Sequence, residues 1–418
     1  VANVETTWLD LLDNRPGDPF WVDETRTASR GELREKIAAQ TARLQAGVHL
    51  ALDAEPSFDT VCTLLAALSI DLSVLLVPRR EPAAVRDRLA RGAGARGLAG
   101  TVWIRSSGSL GNPRWLIHTP RTLLAGATAV AEHLDFGPGA CWRVSLPLDH
   151  VGGWALVFRA LAGGGALTLL PGETHCSLVA TQLRRLLTAG DVPDLRCVLV
   201  GGGPIPAALR RDALAAGLPL VVSYGLSETG AVLTASLPDD DVDLLCHAHY
   251  AGRSLLPDTV ATDNDGNICV TGPALCKATA GDDGTVAPLD LKDGWLATGD
   301  LGHLDHERLL VTGRRDNVMI SGGEKLPAEE LEAALLEIDG VEDVVVVPVA
   351  DAEFGQRPVA FVRWADGREQ TLAAVVEKLA GRVASWKKPV AMWALPVSSG
   401  FKSDRAALRK LAEELVRR

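Results

Sequence analysis

The stretch Ser106-Ser107-Gly108-Ser109-Leu110-Gly111-Asn112-Pro113-Arg114 combines hydroxyls, glycines and a closing cation. Glycines let backbone N–H groups approach an anion closely, hydroxyls add donors, and a guanidinium bonds phosphate oxygens two at a time. The Gly-Lys-Ser/Thr of a Walker loop is missing, and taken alone the stretch also reads as a flexible turn. Tyr224-Gly225-Leu226-Ser227-Glu228-Thr229-Gly230 follows an apolar run, Leu218 to Ser223, that predicts a short buried strand. Ser227 and Thr229 offer hydroxyls to phosphate. Glu228 can hold Mg²⁺, an ion that takes oxygen ligands and usually one or two carboxylates.

Other polar turns follow the same logic. Gly201-Gly202-Gly203 ends the apolar run Leu195–Val200, so Gly202 and Gly203 could lay bare backbone against a flat ring or simply turn strand into helix. Thr298-Gly299-Asp300 places an acid at a glycine turn, where a carboxylate can accept both hydroxyls of a ribose. Arg314 and Asp316 lie in a charge cluster that leads to Ser321-Gly322-Gly323-Glu324-Lys325. Pro147-Leu148-Asp149-His150-Val151-Gly152-Gly153 sets a His before two glycines that would open space beside it. Lys402 sits on the loop Ser398-Ser399-Gly400-Phe401, where a solvated lysine is the plain alternative.

These turns need elements to hold them. Ser29 with Glu32 is a capping-box pattern and predicts a helix to Gln45. Helices are also expected at Phe58–Leu68, Arg79–Ala95, from Trp154 through Leu161, and at Ala207–Ala216, opened by Pro206. Strands are expected at Gly100–Arg105, Gly163–Leu170 and Ile268–Gly272. After Asp316 the pattern becomes helix Ala328–Ile338, strands Val341–Val349 and Val359–Trp364, helix Thr371–Val383, and a last helix capped by Ser403. This predicts an α/β chain with a large multi-sheet domain over 1–315 and a small, mobile α+β domain over 316–418.

Two motifs are decoys. Gly92, Gly94 and Gly97 satisfy G-x-G-x-x-G but follow a helix and precede a strand, the reverse of a dinucleotide site. Cys246-His247-Ala248-His249 lacks a second ligand pair for a metal.

The 418 residues suffice for two or three domains, and 47% apolar content supports a substantial core. A net charge of −11 argues against a nucleic-acid surface. No apolar run approaches the roughly 20 residues of a membrane span. The opening residues mix Asn, Glu, Thr and Asp, which predicts no signal peptide. Seven scattered cysteines without Cys-x-x-Cys read as reduced residues of a cytoplasmic protein.

In this order, the stretches between about residues 100 and 410 resemble the acyl-adenylate-forming superfamily: acyl-CoA ligases, luciferases and peptide-synthetase adenylation domains. That resemblance implies ATP, Mg²⁺ and CoA as reactants. It assigns phosphate binding to Ser106, Ser107, Gly108, Ser109, Gly111, Arg114 and Ser227, with Ser223 and Thr229 in the nucleotide site. It puts Gly202, Gly203, Tyr224 and Gly225 at the adenine, Asp300 and Arg314 at the ribose, Glu228 at the metal and Asp316 at the domain hinge. Lys402 matches the lysine that enters the site for adenylation. The Pro147–Gly153 stretch, with Gly313-Arg-Arg and Ser321-Gly-Gly-Glu, is similar to the o-succinylbenzoate–CoA ligase branch of menaquinone biosynthesis. It implies that His150, Gly152 and Gly153 border the acid. The chain departs from the usual pattern at Arg114, where Lys is common, at Ser227, where Thr is common, and at Phe401, which splits Gly-Lys. A ligase for another aryl or fatty acid, a module that loads a carrier protein, and a non-catalytic nucleotide-binding relic are the competing readings.

Overall fold

Leu220–Leu226 is a strand buried over its first half, and it occupies a seam in the largest sheet. On one side it pairs in parallel with Cys197–Val200, and beyond that lie His175–Leu178, Cys141–Arg143, Ala166–Thr168 and Pro19–Val22, also parallel. On the other side it pairs antiparallel with Ala231–Ala235, followed by Tyr250–Ser254, Arg308–Arg314 and Trp295–Asp305. A strand flanked by both kinds of ladder has its carboxyl end where a crevice opens, the place at which ligands of α/β sheets collect. The computed structural model describes residues 8–44, 49–78, 83–92, 98–106, 114–190, 193–365, 368–396 and 404–417.

A second sheet contains the antiparallel pair Val102–Ser106 and Arg114–His118, flanked by Ser73–Val77 and Ala278–Ala280. The two sheets share one core. Val102 and Ile104 of one meet Trp142, Leu199 and Val221 of the other through the helices Pro120–His133 and Val151–Gly163. The apolar character of Val151–Gly163 explains its place: it is covered on nearly every side.

The third sheet consists of strands after residue 317: Val318–Ser321, Glu324–Pro327, Val341–Asp351, Gly355–Trp364 and Met392–Ala394. It has its own cores, against the helices Ala328–Leu336 and Leu372–Lys378 on one face and Arg405–Val416 on the other. A 3-10 turn, Arg315–Asn317, links the last strand of the large sheet directly to the first strand of the small one. The chain is thus a mixed α/β protein with a large multi-sheet amino-terminal part and a smaller carboxy-terminal one.

Several elements differ from their expected bounds. The helix capped by Ser29 has both halves of the capping box but ends at Thr41. The helix expected at 79–95 spans Ala83–Gly92, and that expected at 371–383 spans Leu372–Lys378 with Thr371 as its cap. Ser403 lies outside the described residues, and the cap of the last helix is Asp404, whose carboxylate accepts from the Ala407 N–H at 3.0 Å. A carboxylate is as good a cap as a hydroxyl and adds charge that suits the helix dipole. Gly94 and Gly97 also fall outside the described residues.

Candidate active site

Arg114 opens the strand Arg114–His118 and pairs across the ladder with Ser106, whose hydroxyl donates to the Arg114 carbonyl at 3.2 Å. The Ser/Gly stretch between them joins the two strands; Ser107, Gly108, Ser109 and Gly111 lie outside the described residues. The Arg114 guanidinium reaches the large sheet, where its Nη2 donates to Glu228 Oε1 at 2.6 Å. Glu228 lies in the 3-10 turn Ser227–Thr229, at the carboxyl end of the seam strand.

The seam strand is longer than expected: it runs through Tyr224 and Gly225 to Leu226, because Ala231–Ala235 continues the ladder past a bulge at Tyr224/Gly225. Gly225 is required there. A Cβ at this position would lie 1.7 Å from the Ala231 carbonyl oxygen. The Thr229 hydroxyl accepts from the Leu226 N–H at 3.2 Å, so it closes the turn. The Ser223 hydroxyl donates to the Val200 carbonyl at 3.0 Å and ties the two parallel strands just before Gly201, Gly202 and Gly203. Both hydroxyls therefore serve the backbone that shapes the site.

Asp300 also sits differently than expected. It lies in the middle of the strand Trp295–Asp305, directly opposite Arg314, because the ladder with Asn267–Val270 pairs residues on both sides of Gly299 and the ladder with Arg308–Arg314 takes over from Asp300. Its two oxygens have separate partners: Tyr224 Oη donates to Oδ2 at 2.7 Å and Arg314 Nη1 to Oδ1 at 2.6 Å. Arg314 Nη2 is 3.7 Å from Asp316 Oδ2. Burial, then the Asp300 charge, pushes the Tyr224 phenol well above its ordinary value, so it stays a donor.

His150 precedes the helix Val151–Gly163. The adjacent glycines do not open a cavity. A Cβ on Gly153 would lie 2.1 Å from the Pro147 carbonyl oxygen and one on Gly152 2.9 Å from Leu146 Cδ1. They let the Pro147–His150 turn fold against the first helical turn. Two turns on, sequence reasoning missed Arg159. Its side chain is buried, its guanidinium carbon stands 4.9 Å from the Trp142 ring centre, and its Nε and Nη1 have no hydrogen-bond partner. Burial lowers its pKa to about 10, so it remains charged. A buried cation with orphan donors is costly unless something anionic meets it. The signal for it was a single charge inside an otherwise apolar helix.

The small part touches the large one beside the glycine loop. Glu337 Oε1 accepts from the Ala208 N–H at 3.1 Å and Oε2 lies 3.1 Å from Arg211 Nη2. Arg405, at the start of the last helix, donates to Glu332 Oε2 at 2.7 Å and to the Val346 carbonyl at 2.9 Å. Lys402 lies outside the described residues. His249 is committed to the Val311 carbonyl at 3.0 Å, and among the described residues no group of three His, Cys, Asp or Glu could hold a metal alone.

Residues 101–278 match the model of the AMP-binding enzyme family, and 330–399 match that of the AMP-binding enzyme C-terminal domain. The 2-succinylbenzoate–CoA ligase of Salmonella typhimurium is 35% identical over 317 residues, covering 73% of this chain and 67% of the relative. That of Bacillus mycoides is 32% identical, covering 75% and 70%. Among solved structures, an E. coli MenE variant with bound OSB-AMS superposes with a TM-score of 0.83 at 27% identity, over 98% of each chain. The chain belongs to the AMP-binding enzyme family, and it is an acyl-adenylate-forming, AMP-forming ligase like the 2-succinylbenzoate–CoA ligases it resembles in sequence and fold.

Proposed function

We propose that the chain activates o-succinylbenzoate with ATP and transfers the acyl group to CoA, a step of menaquinone biosynthesis in the cytoplasm. The observation that carries this reading is the convergence on one strand end of a phosphate-type cation, a carboxylate and a ribose-type acid. Arg114 and Glu228 meet at the turn after the seam strand, while Asp300 and Arg314 meet at Tyr224 within it. The relatives named 2-succinylbenzoate–CoA ligase supply the acid.

In this reading the acid's carboxylate attacks the α-phosphorus of ATP and pyrophosphate leaves. The CoA thiol then attacks the acyl carbon and AMP leaves. Arg114, with the turn between Ser106 and itself, neutralises and orients the phosphates. Asp300, backed by Tyr224 and Arg314, takes the ribose hydroxyls, and Gly202 and Gly203 border the base. Lys402 contacts the oxygens that gain charge, Asp316 is the pivot, and the small domain moves between the half-reactions.

Glu228 fits a magnesium ion. It is a single carboxylate with 16% of its side chain exposed beside a cation suited to phosphate, and Mg²⁺ commonly takes one or two carboxylates plus substrate oxygens. When bound, the ion supplies charge neutralisation at the phosphates. Arg159 favours an acid with a second carboxylate, since such a group would satisfy the unpaired guanidinium. His150 borders the same acid. Pyrophosphate release measured with o-succinylbenzoate, plain benzoates and fatty acids tests the reading. Turnover is expected with the first, and preference for a monoacid would refute the substrate.

A further inference from the structure

The strand that begins with Arg114 ends with His118, and both residues reach the same turn. Arg114 bonds the Glu228 side chain, while the His118 ring meets the backbone: Nε2 is 2.8 Å from the Ser227 carbonyl oxygen. His118 is wholly buried. We propose that His118 is a positioning residue for Glu228, fixing the peptide plane from which that carboxylate projects toward Mg²⁺·ATP. The inference rests on the reading that Glu228 serves the metal and its nucleotide.

A carbonyl oxygen only accepts, so Nε2 must carry the proton. Nδ1 then faces the Thr122 hydroxyl at 3.2 Å as an acceptor. Thr122 is itself fixed, because it forms a capping box with Thr119 at the start of the helix Pro120–His133. The ring is thus held at both nitrogens, and the tautomer follows from its partners.

The Ser227 carbonyl and the Glu228 N–H belong to one planar peptide unit. Pinning that oxygen fixes the orientation of the whole unit up to the Glu228 Cα. The next unit is pinned as well, since the Cys276 N–H donates to the Glu228 carbonyl at 2.8 Å. Both planes that flank Glu228 are therefore anchored from other elements, leaving only its side-chain torsions free. The Cys276 anchor is backbone and survives most substitutions. His118 is the side-chain anchor, so a single replacement can remove it.

The test compares His118→Leu, His118→Asn and His118→Gln in the full chain. Gln can present an amide N–H near the Nε2 position, whereas Asn is too short and Leu has no donor. Mg²⁺·ATP binding is measured by calorimetry, alongside KM values for ATP and for o-succinylbenzoate and thioester formation from supplied acyl-adenylate. In Leu and Asn the Kd for Mg²⁺·ATP should rise about tenfold, as expected for one lost buried hydrogen bond, with acid KM and thioester formation within about twofold. Gln should recover most of the affinity. An unchanged Kd in Leu and Asn, or an equal loss of every parameter without recovery in Gln, overturns the proposal. If Leu does not fold, Asn carries the same comparison. A wild-type protein inactive with every acid would instead sink the proposed reaction, while the calorimetric comparison still decides the role of His118.

Discussion

Arg114 Nη2 and Glu228 Oε1 stand 2.6 Å apart, joining the hairpin of one sheet to the turn at the end of another. The Arg114 side chain is 47% exposed, and an ion pair so open to solvent contributes only about 0–1 kcal/mol to stability. Under the proposed function, each group instead keeps the other in place for the phosphates and their ion. Arg114→Ala should leave the melting midpoint within about 2 °C while raising the KM for ATP about tenfold or more, given the charge-assisted bonds lost. Arg114→Lys should retain most of the activity, since an ammonium still meets phosphate as a point charge. A large loss of stability in the Ala variant, with ATP kinetics intact, would reverse the assignment.

Tyr224→Phe and Asp300→Asn should separate by size. The first removes one hydrogen bond to a carboxylate that Arg314 still holds, a loss of about 0.5–1.5 kcal/mol, or a few-fold in KM for ATP. The second removes the closer of two anions at the Arg314 guanidinium, leaving only Asp316 at 3.7 Å, and should cost about tenfold. Titration with a ribose-modified ATP supplies the check. If 2′-deoxy-ATP binds wild type and Asp300→Asn in the same ratio as ATP does, Asp300 does not face the ribose.

Arg159→Met predicts opposite changes in stability and function. Removing a buried unpaired cation should raise unfolding stability by about 1–3 kcal/mol, net of the lost stacking on Trp142. The KM for o-succinylbenzoate should rise about tenfold or more while that for a benzoate lacking the second carboxylate changes little. Chemical denaturation and the two-substrate comparison read both. Equal effects on the two acids would mean that the guanidinium meets neither.

His118 also predicts a pH dependence. Burial pushes its pKa down from 6.5 to about 4. As pH falls through about 6.5 the unfolded chain binds a proton at this position that the folded chain refuses until about 4. The contribution of this group is therefore fully present above that window and is lost as pH drops through it, by about 3 kcal/mol in total. His118→Gln lacks the group, so its stability relative to wild type should improve by that amount between pH 7 and pH 4. A constant difference across the range would show that the ring titrates normally.

The polar turns were legible in the sequence because each needs particular residue types: Ser106 to Arg114, Tyr224 to Gly230, Thr298 to Asp300. What could not be read was how far the ladders run. Gly225 and Gly299 look like strand ends, yet antiparallel partners carry the chain through both. A glycine in a strand marks a bulge or a close approach as often as a stop. Arg159 and His118 were hidden for another reason. Arg159 sits inside the apolar run Trp154 to Leu161 and His118 directly follows the run Trp115 to Ile117, and each owes its meaning to atoms distant along the chain. Local pattern gives no sign of which neighbours will arrive.

Pro206 supplies no side-chain cap to the helix Ala207–Ala215, and the carboxylate that accepts from its Ala208 N–H is Glu337, from the other sheet system. That helix begins where the Gly201–Pro206 loop ends. A swing of the small part would withdraw this foreign cap and expose bare helix-end amides, a penalty of about 0.5–2 kcal/mol by the usual worth of such contacts. The glycine loop and the posture of the far lobe would thereby feel one another, and under the proposed function a nucleotide that steadies the loop would also bias where the lobe comes to rest.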